Sequence, residues 1–345
     1  MRKLWQTEVS RRKLLGGAAA AGASVPILHE LVPHQGLHDQ AASAREQAIS
    51  NAHQAHRGSG HLGARGRVDP RANGFDPQAI LRDFDEGTLR NGVREWEIIA
   101  EDREIEVAPG VKYAAWTYNG RVPGPTLRAR EGERLRIRFI NASVHPHTMH
   151  FHGIHTARND GIPGLGPGNI GPGESTTYEF HATPFGLHLY HCHSTPLADH
   201  IAKGLYGAFI IDPKDGRPSA DELVMVMNGF DTNFDRSNEI YAVNTVAFAY
   251  MDEPVRVRRN ELVRIYLVNA LEFDLLNSFH IHANFFHYYP TGTSLQPTEF
   301  TDTVIQGQGQ RGILELRFPY PGKYMFHAHV SEFAELGWMG FFEVV

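Results

Sequence analysis

Cys192 is the only cysteine in 345 residues, and it stands between two histidines in Tyr190-His191-Cys192-His193, with His200 and Leu205 following. Without a second thiol it can form neither an intrachain disulfide nor a multi-cysteine zinc site. A lone cysteine is most often a small core hydrophobe. A thiolate flanked by imidazoles is a different object: one Cys with two His and a weak or absent axial ligand is the donor set of a blue, type 1 copper. His200 can return to the sulfur past Pro196. The second imidazole is read as His147, with His145 as its competitor. Leu205 lies where an axial thioether would stand and cannot coordinate, so a high-potential site is expected.

Around this stretch run four His-x-His pairs, His150/His152, His191/His193, His280/His282 and His327/His329, drawn from 21 histidines. On a strand, residues i and i+2 point to one face, so each pair is expected to act as a two-toothed clamp. The same alternation would aim Cys192 away from His191 and His193, giving its sulfur a metal of its own. Eight imidazoles suit a cluster of three ions, although imidazole alone does not choose between copper, zinc, iron and nickel.

The elements that must position these groups read as β-strands. The 34 Gly and 20 Pro, with 41% hydrophobic and 21% charged residues, favour turns and short strands. Segment 133–141 alternates Leu135, Ile137 and Phe139 with Arg134, Arg136 and Arg138, the period of a strand with one buried face. Segment 176–180 alternates likewise, and short strands are expected at 95–100, 104–107 and 114–118 with a turn at Asn119-Gly120. Regular structure is expected to begin near Arg94. Segment 131–141 recurs at 258–269 and segment 186–193 at 322–329, each beside its histidine pairs, so the chain reads as a duplicated β-sandwich or Greek-key domain.

Ser10-Arg11-Arg12-Lys13-Leu14-Leu15 and the Gly/Ala-rich apolar run after it have the form of a twin-arginine export signal. It is expected over residues 1–23, with Ala21-Gly22-Ala23 as the cleavage site and Ala42-Ser43-Ala44 as a later option. Residues 24–92 are expected as a His/Ala-rich, partly flexible leader. Two domains follow, 93–213 and 214–345. Residues 1–23 carry Arg2, Lys3, Arg11, Arg12 and Lys13 against Glu8, so the net charge of −6 becomes −10 without them. An acidic chain argues against nucleic acid as a partner.

With Pro123-Gly124-Pro125-Thr126, His147-Thr148-Met149-His150-Phe151-His152-Gly153, 186–193 and 322–329 in order, residues 95–345 resemble a two-domain multicopper oxidase of the small-laccase type. The resemblance implies an all-β fold of two cupredoxin-like Greek-key β-sandwich domains in tandem. It implies about four coppers per chain, with His147, Cys192 and His200 on the type 1 ion and Leu205 as a non-coordinating axial residue. His150 and His280 would hold the type 2 copper. His152, His191 and His329 would take one type 3 ion, and His193, His282 and His327 the other. Asp160 would relay protons, with Glu332 a weaker candidate, and Cys192 would carry electrons; His155, His181, His188 and His287 read as supporting residues. The implied reaction couples one-electron oxidation of a phenolic, aromatic or metal-ion donor to reduction of O2 to water. The implied assembly is a homotrimer with clusters between subunits, periplasmic or secreted. In the second repeat Ala328, Asn277 and Phe333 stand where Cys192, His147 and a further histidine would be, so only the first domain is expected to hold a type 1 site. Copper nitrite reductases share that arrangement and are the alternative, together with a non-enzymatic copper-binding or electron-transfer protein.

Overall fold

The computed structural model describes residues 67–345; the expected export signal and most of the expected leader lie outside the described residues. Regular structure starts earlier than Arg94. Asp69 and Asp76 each accept a backbone N–H two residues on and are followed by proline, opening the short helices Pro70–Asn73 and Pro77–Ile80, as N-cap and N1 preferences direct. Val68, Phe75, Ile80 and Leu81 are buried. These apolar residues are too widely spaced to show a period, yet each finds a place on the core.

Strand 134–141 behaves as its alternation requires. Leu135, Ile137 and Phe139 are buried, while Arg136 bridges Glu95 at 2.6 Å and Glu179 at 2.5 Å on the outer face. The two strands expected at 95–100 and 104–107 are one continuous strand, Val93–Ala108. The charged run Glu101-Asp102-Arg103 reads as a break, but the strand runs through it with none of the three side chains buried. The strand there pairs with Val111–Tyr118, and the register shifts only between Glu106 and Ala108.

Four sheets carry the described residues. Residues 84–212 form one containing Gly186–His191, Tyr206–Asp212 and His150–Phe151, and another containing Val93–Ala108, Arg134–Asn141 and Ser175–His181. Residues 221–344 form two more, and the pairing scheme repeats. Val93–Ala108 runs parallel to Arg134–Asn141 as Asp221–Phe230 does to Leu262–Asn269. Gly186–His191 is antiparallel to Tyr206–Asp212 as Gly322–His327 is to Met339–Val344. One apolar core, with Ile137, Phe139, Leu205 and Cys192, fills the first pair of sheets, and a second, with Phe279, Phe326 and Trp338, fills the other. A third core joins them through Leu187, Tyr206, Val226 and Tyr266.

Candidate metal centres

Three buried side chains converge at the end of the first core. His147 Nδ1 and His200 Nδ1 lie 3.2 Å apart, and Cys192 Sγ lies 3.2 Å from His200 Nδ1 and 3.8 Å from His147 Nδ1. Each arrives on a different element. Cys192 follows strand Gly186–His191, and His200 sits in the last turn of helix Leu197–Ala202. His147 lies in a loop fixed by reciprocal backbone bonds with Ile170, and its Nε2 is spent on Ser143 Oγ at 3.0 Å. His145 does not join them; it is exposed and contacts Trp116 instead. Burial, with His200 beside it, holds His147 down to about 3, and burial holds His200 to about 4. Both rings are therefore neutral near pH 7 and offer lone pairs. Burial pushes the Cys192 thiol up, so a metal must displace its proton. The Thr148 N–H points at the sulfur from 3.3 Å. Leu205 is fully buried in the same core, and its carbonyl accepts the Cys192 N–H at 2.9 Å. A soft sulfur and two neutral imidazole nitrogens meeting in a dry pocket are a fitting donor set for copper.

The paired histidines form two further groups of near-equal geometry. In the first, His150 faces His191 across two strands, and His152 Nε2 meets His191 Nε2 at 2.9 Å. In the second, His280 faces His327, and His282 Nε2 meets His327 Nε2 at 3.0 Å. Two lone pairs directed at each other so closely repel unless a cation or proton lies between, so both groups fit a metal. His191 Nδ1–H donates to the Cys192 carbonyl at 2.7 Å and His327 Nδ1–H to the Ala328 carbonyl at 2.6 Å, which leaves Nε2 of each as the ligand atom. His193 and His329 complete the groups, their rings 5.4 Å from His150 and 5.2 Å from His280. Burial lowers His152 to about 3 and His191 to about 4.

The alternation expected for Cys192 is realised by another route. The strand ends at His191, and Cys192 and His193 lie beyond it. Thr148 Oγ1 accepts the His193 N–H at 2.8 Å, and Ser278 Oγ does the same for His329. The His191 and His193 rings then stack at 5.7 Å, away from the sulfur pocket. Among the described residues, no set of neighbouring ligand atoms joins a histidine of the first group to one of the second.

Asp160 Oδ1 accepts the His150 Nδ1–H at 2.8 Å, with His155 Nε2 3.9 Å from the same oxygen. His280 Nδ1 is held instead by the Asp302 carbonyl at 3.0 Å and Thr303 Oγ1 at 2.8 Å. Glu332 is exposed on helix Ser331–Glu335, outside the histidine groups. His188 faces two backbone carbonyls, and His181 and His287 are exposed. Sequence reasoning missed Glu272. It lines a cavity of about 310 Å³ with His150, His152, His191 and His193, and burial pushes its carboxyl up to about 7. Nothing local in the sequence marks it; the second pair of sheets brings it there.

Comparison with known proteins finds multicopper oxidases and copper nitrite reductases. Two family models, each described as multicopper oxidase, match residues 100–216 and 217–345. A solved multicopper oxidase is 65% identical, with a TM-score of 0.79 over 81% of this chain and all of that one. The copper-containing nitrite reductase of Neisseria meningitidis is 30% identical over 66% of this chain, which spans 63% of that relative's length. The copper nitrite reductase structure from Nitrosomonas europaea is 28% identical with a TM-score of 0.67, over 73% of this chain and 94% of that one.

Proposed function

The chain belongs to the multicopper oxidase family, and from that premise we propose that it oxidises a small donor one electron at a time at a type 1 copper and reduces O2 to water at a trinuclear cluster. His147, Cys192 and His200 would hold the first ion, with Leu205 supplying no ligand. His150 and His280 would hold the type 2 ion. His152, His191 and His329 would hold one type 3 ion, and His193, His282 and His327 the other. Bound copper would supply the one-electron redox chemistry and the binding of O2. The chain's own residues do the rest. Cys192 is covalently continuous with His191 and His193, so an electron leaving its sulfur has a short bonded path to cluster ligands. The Thr148 N–H steadies that sulfur. Asp160 orients His150 through Nδ1 and is placed to pass on one of the protons that O2 reduction consumes.

The observation that carries this reading is the pair of equivalent histidine groups. Eight imidazoles on or just beyond matched strands are more than one catalytic ion needs. The similarity to nitrite reductases favours a second reading, in which nitrite is the acceptor. Copper-loaded protein should contain about four coppers per chain, consume O2 and release no nitric oxide from nitrite; one catalytic copper with nitric oxide released would overturn the proposal.

We also propose a homotrimer with each cluster shared between subunits. The second histidine group is the more open: His282 and His329 are exposed. Leu275, Phe300 and Ile305 stand 85%, 63% and 65% exposed in the same half of the chain. Exposed apolar side chains of this kind support, in this reading, a surface for another copy, and light scattering of the copper-loaded protein tests it. Segment 10–23 supports export by the twin-arginine route to the periplasm or beyond.

A further inference from the structure

Neither imidazole of the candidate type 1 site is open to a donor, since His147 is 0% and His200 3% exposed. What covers them is Trp116. Its ring lies 4.7 Å from that of His200 and 5.1 Å from that of His147, and its other side lines a cavity of about 480 Å³ shared with Tyr113, Lys203 and Phe234. The backbone of Trp116 is held there, its main-chain N–H donating to the Lys203 carbonyl at 2.9 Å.

The walls of that cavity have a definite chemistry. The Lys203 ammonium sits 4.3 Å from the ring centre of Phe234, 5.3 Å from Trp116 and 5.7 Å from Tyr113. It donates to the Ala114 carbonyl at 3.1 Å, and among the described residues no carboxylate pairs with it. The neighbouring acids are engaged elsewhere. Asp199 pairs with Arg236 at 3.2 Å, and Asp231 accepts the N–H groups of Asp235 and Arg236. Phe234 is 58% exposed and has a positive φ of 62°, a backbone state unfavourable to an aromatic residue. Its ring is nevertheless laid against Tyr113 at 6.1 Å. With Phe273 the cavity offers four aromatic residues and one ammonium with N–H bonds to spare, and the Asp199, Asp231 and Arg236 side chains that also line it are the ones already engaged with one another or with backbone.

We infer that this cavity binds the reducing substrate, that the substrate is a small phenol carrying a carboxylate, and that Lys203 anchors the carboxylate while Trp116 receives the ring and passes its electron to His200 and His147. The ammonium and the indole are close enough for one small molecule to engage both. The phenol loses one electron and its O–H proton, the proton going to water, and leaves as a phenoxyl radical. The electron would go to a cupric ion held by His147, Cys192 and His200, and four such electrons with four protons would convert one O2 to two waters. The electron-transfer half of this inference rests on the copper oxidase reading; the binding half does not.

The test uses the full chain in two states. Metal-free protein is titrated with 4-hydroxy-3,5-dimethoxybenzoate and with its neutral counterpart 2,6-dimethoxyphenol, following tryptophan fluorescence with Trp116→Phe as control. The acid should bind about tenfold more tightly, the worth of one charge-assisted contact. Lys203→Met should erase the preference and Lys203→Arg restore it. Equal binding of the two phenols by the unsubstituted chain, or a preference that survives Lys203→Met, overturns the inference. In copper-loaded protein Lys203→Met should raise KM for the acid about tenfold at unchanged kcat. Trp116→Leu should slow anaerobic bleaching of the blue band at saturating acid by tenfold or more; bleaching at the original rate overturns the role of Trp116. If no blue band forms, the copper reading has failed, while the fluorescence titration still decides the binding site.

Discussion

Acid should unfold the metal-free protein well above the pH at which its carboxylates titrate. His147, His188, His191 and His200 are at most 6% exposed, and burial holds them to about 3, 4, 4 and 4. In the unfolded chain each regains an ordinary value near 6.5. Below pH 6.5 the unfolded chain therefore takes up protons that the folded chain refuses until about pH 4, and stability falls as pH falls. Between pH 7 and pH 5 each group costs the folded state about 2 kcal/mol. Glu272 runs the other way. Its carboxyl, raised to about 7, takes up a proton more readily in the folded chain and offsets at most about 2 kcal/mol before solvent screening. The net loss is roughly 5 kcal/mol, and a proton shared between His147 Nδ1 and His200 Nδ1 would trim it to about 3–4 kcal/mol, still a large part of an ordinary folding free energy. The assay is urea denaturation of chelator-treated full-length chain at both pH values, followed by far-ultraviolet circular dichroism. In the proposed sites copper would occupy nitrogens of His147, His191 and His200, though not of His188, so loaded protein should resist most of the change. A metal-free midpoint unmoved between pH 7 and pH 5 would refute the claim that these imidazoles are buried and neutral.

Two substitutions separate the proposed sites. Cys192→Ser should abolish the blue colour and turnover while cluster copper remains bound; loss of all copper in metal analysis would sink the division between the two centres. Asp160→Asn keeps an oxygen that can accept from His150 Nδ1 but removes the ionisable group, so steady-state O2 consumption should fall about 10–100-fold with copper content retained, and an unchanged rate would leave Asp160 no part in proton delivery.

What the sequence discloses follows how each feature is written in it. A half-buried strand writes its own period, so 134–141 is legible residue by residue. The histidine pairs are legible because their i, i+2 spacing survives even though the strands stop at His191 and His327. Features made by distant segments leave no local mark. The helical turns before Arg94 rest on single apolar residues meeting a core built by later strands. Glu272 reaches the first histidine group, and Trp116 covers His147 and His200, only through tertiary structure. The acceptors that choose Nε2 as the ligand atom of His191 and His327 are backbone carbonyls, which every residue carries. Asp160 was legible through the family resemblance, whereas the carbonyl and hydroxyl that serve His280 were not.

The second repeat shows how far the two centres are separable. Its hydrogen-bond skeleton copies the first. The Ala328 N–H donates to the Trp338 carbonyl as Cys192 does to Leu205, and the Trp338 N–H to the Phe333 carbonyl as Leu205 does to His200. Trp338 thus occupies the slot of Leu205, and Phe333 that of His200. Aromatic rings fill the space: Phe333 stacks on Tyr241 at 4.0 Å, and Trp338 packs against Phe279 at 5.8 Å. The replacement is imperfect, since Asn277 Nδ2 and Trp338 Nε1 are buried without partners, at about 1–3 kcal/mol each. Yet His280, His282, His327 and His329 keep the spacing of their counterparts. Their supports are a backbone carbonyl at His327 and a serine hydroxyl at His329, neither of which needs a thiolate next door. A histidine group of this form therefore persists where the sulfur site has been lost. Only in the first repeat do the two kinds of proposed site meet, at Cys192, where the proposed donor to one centre is bonded through its own backbone to the proposed ligands of the other.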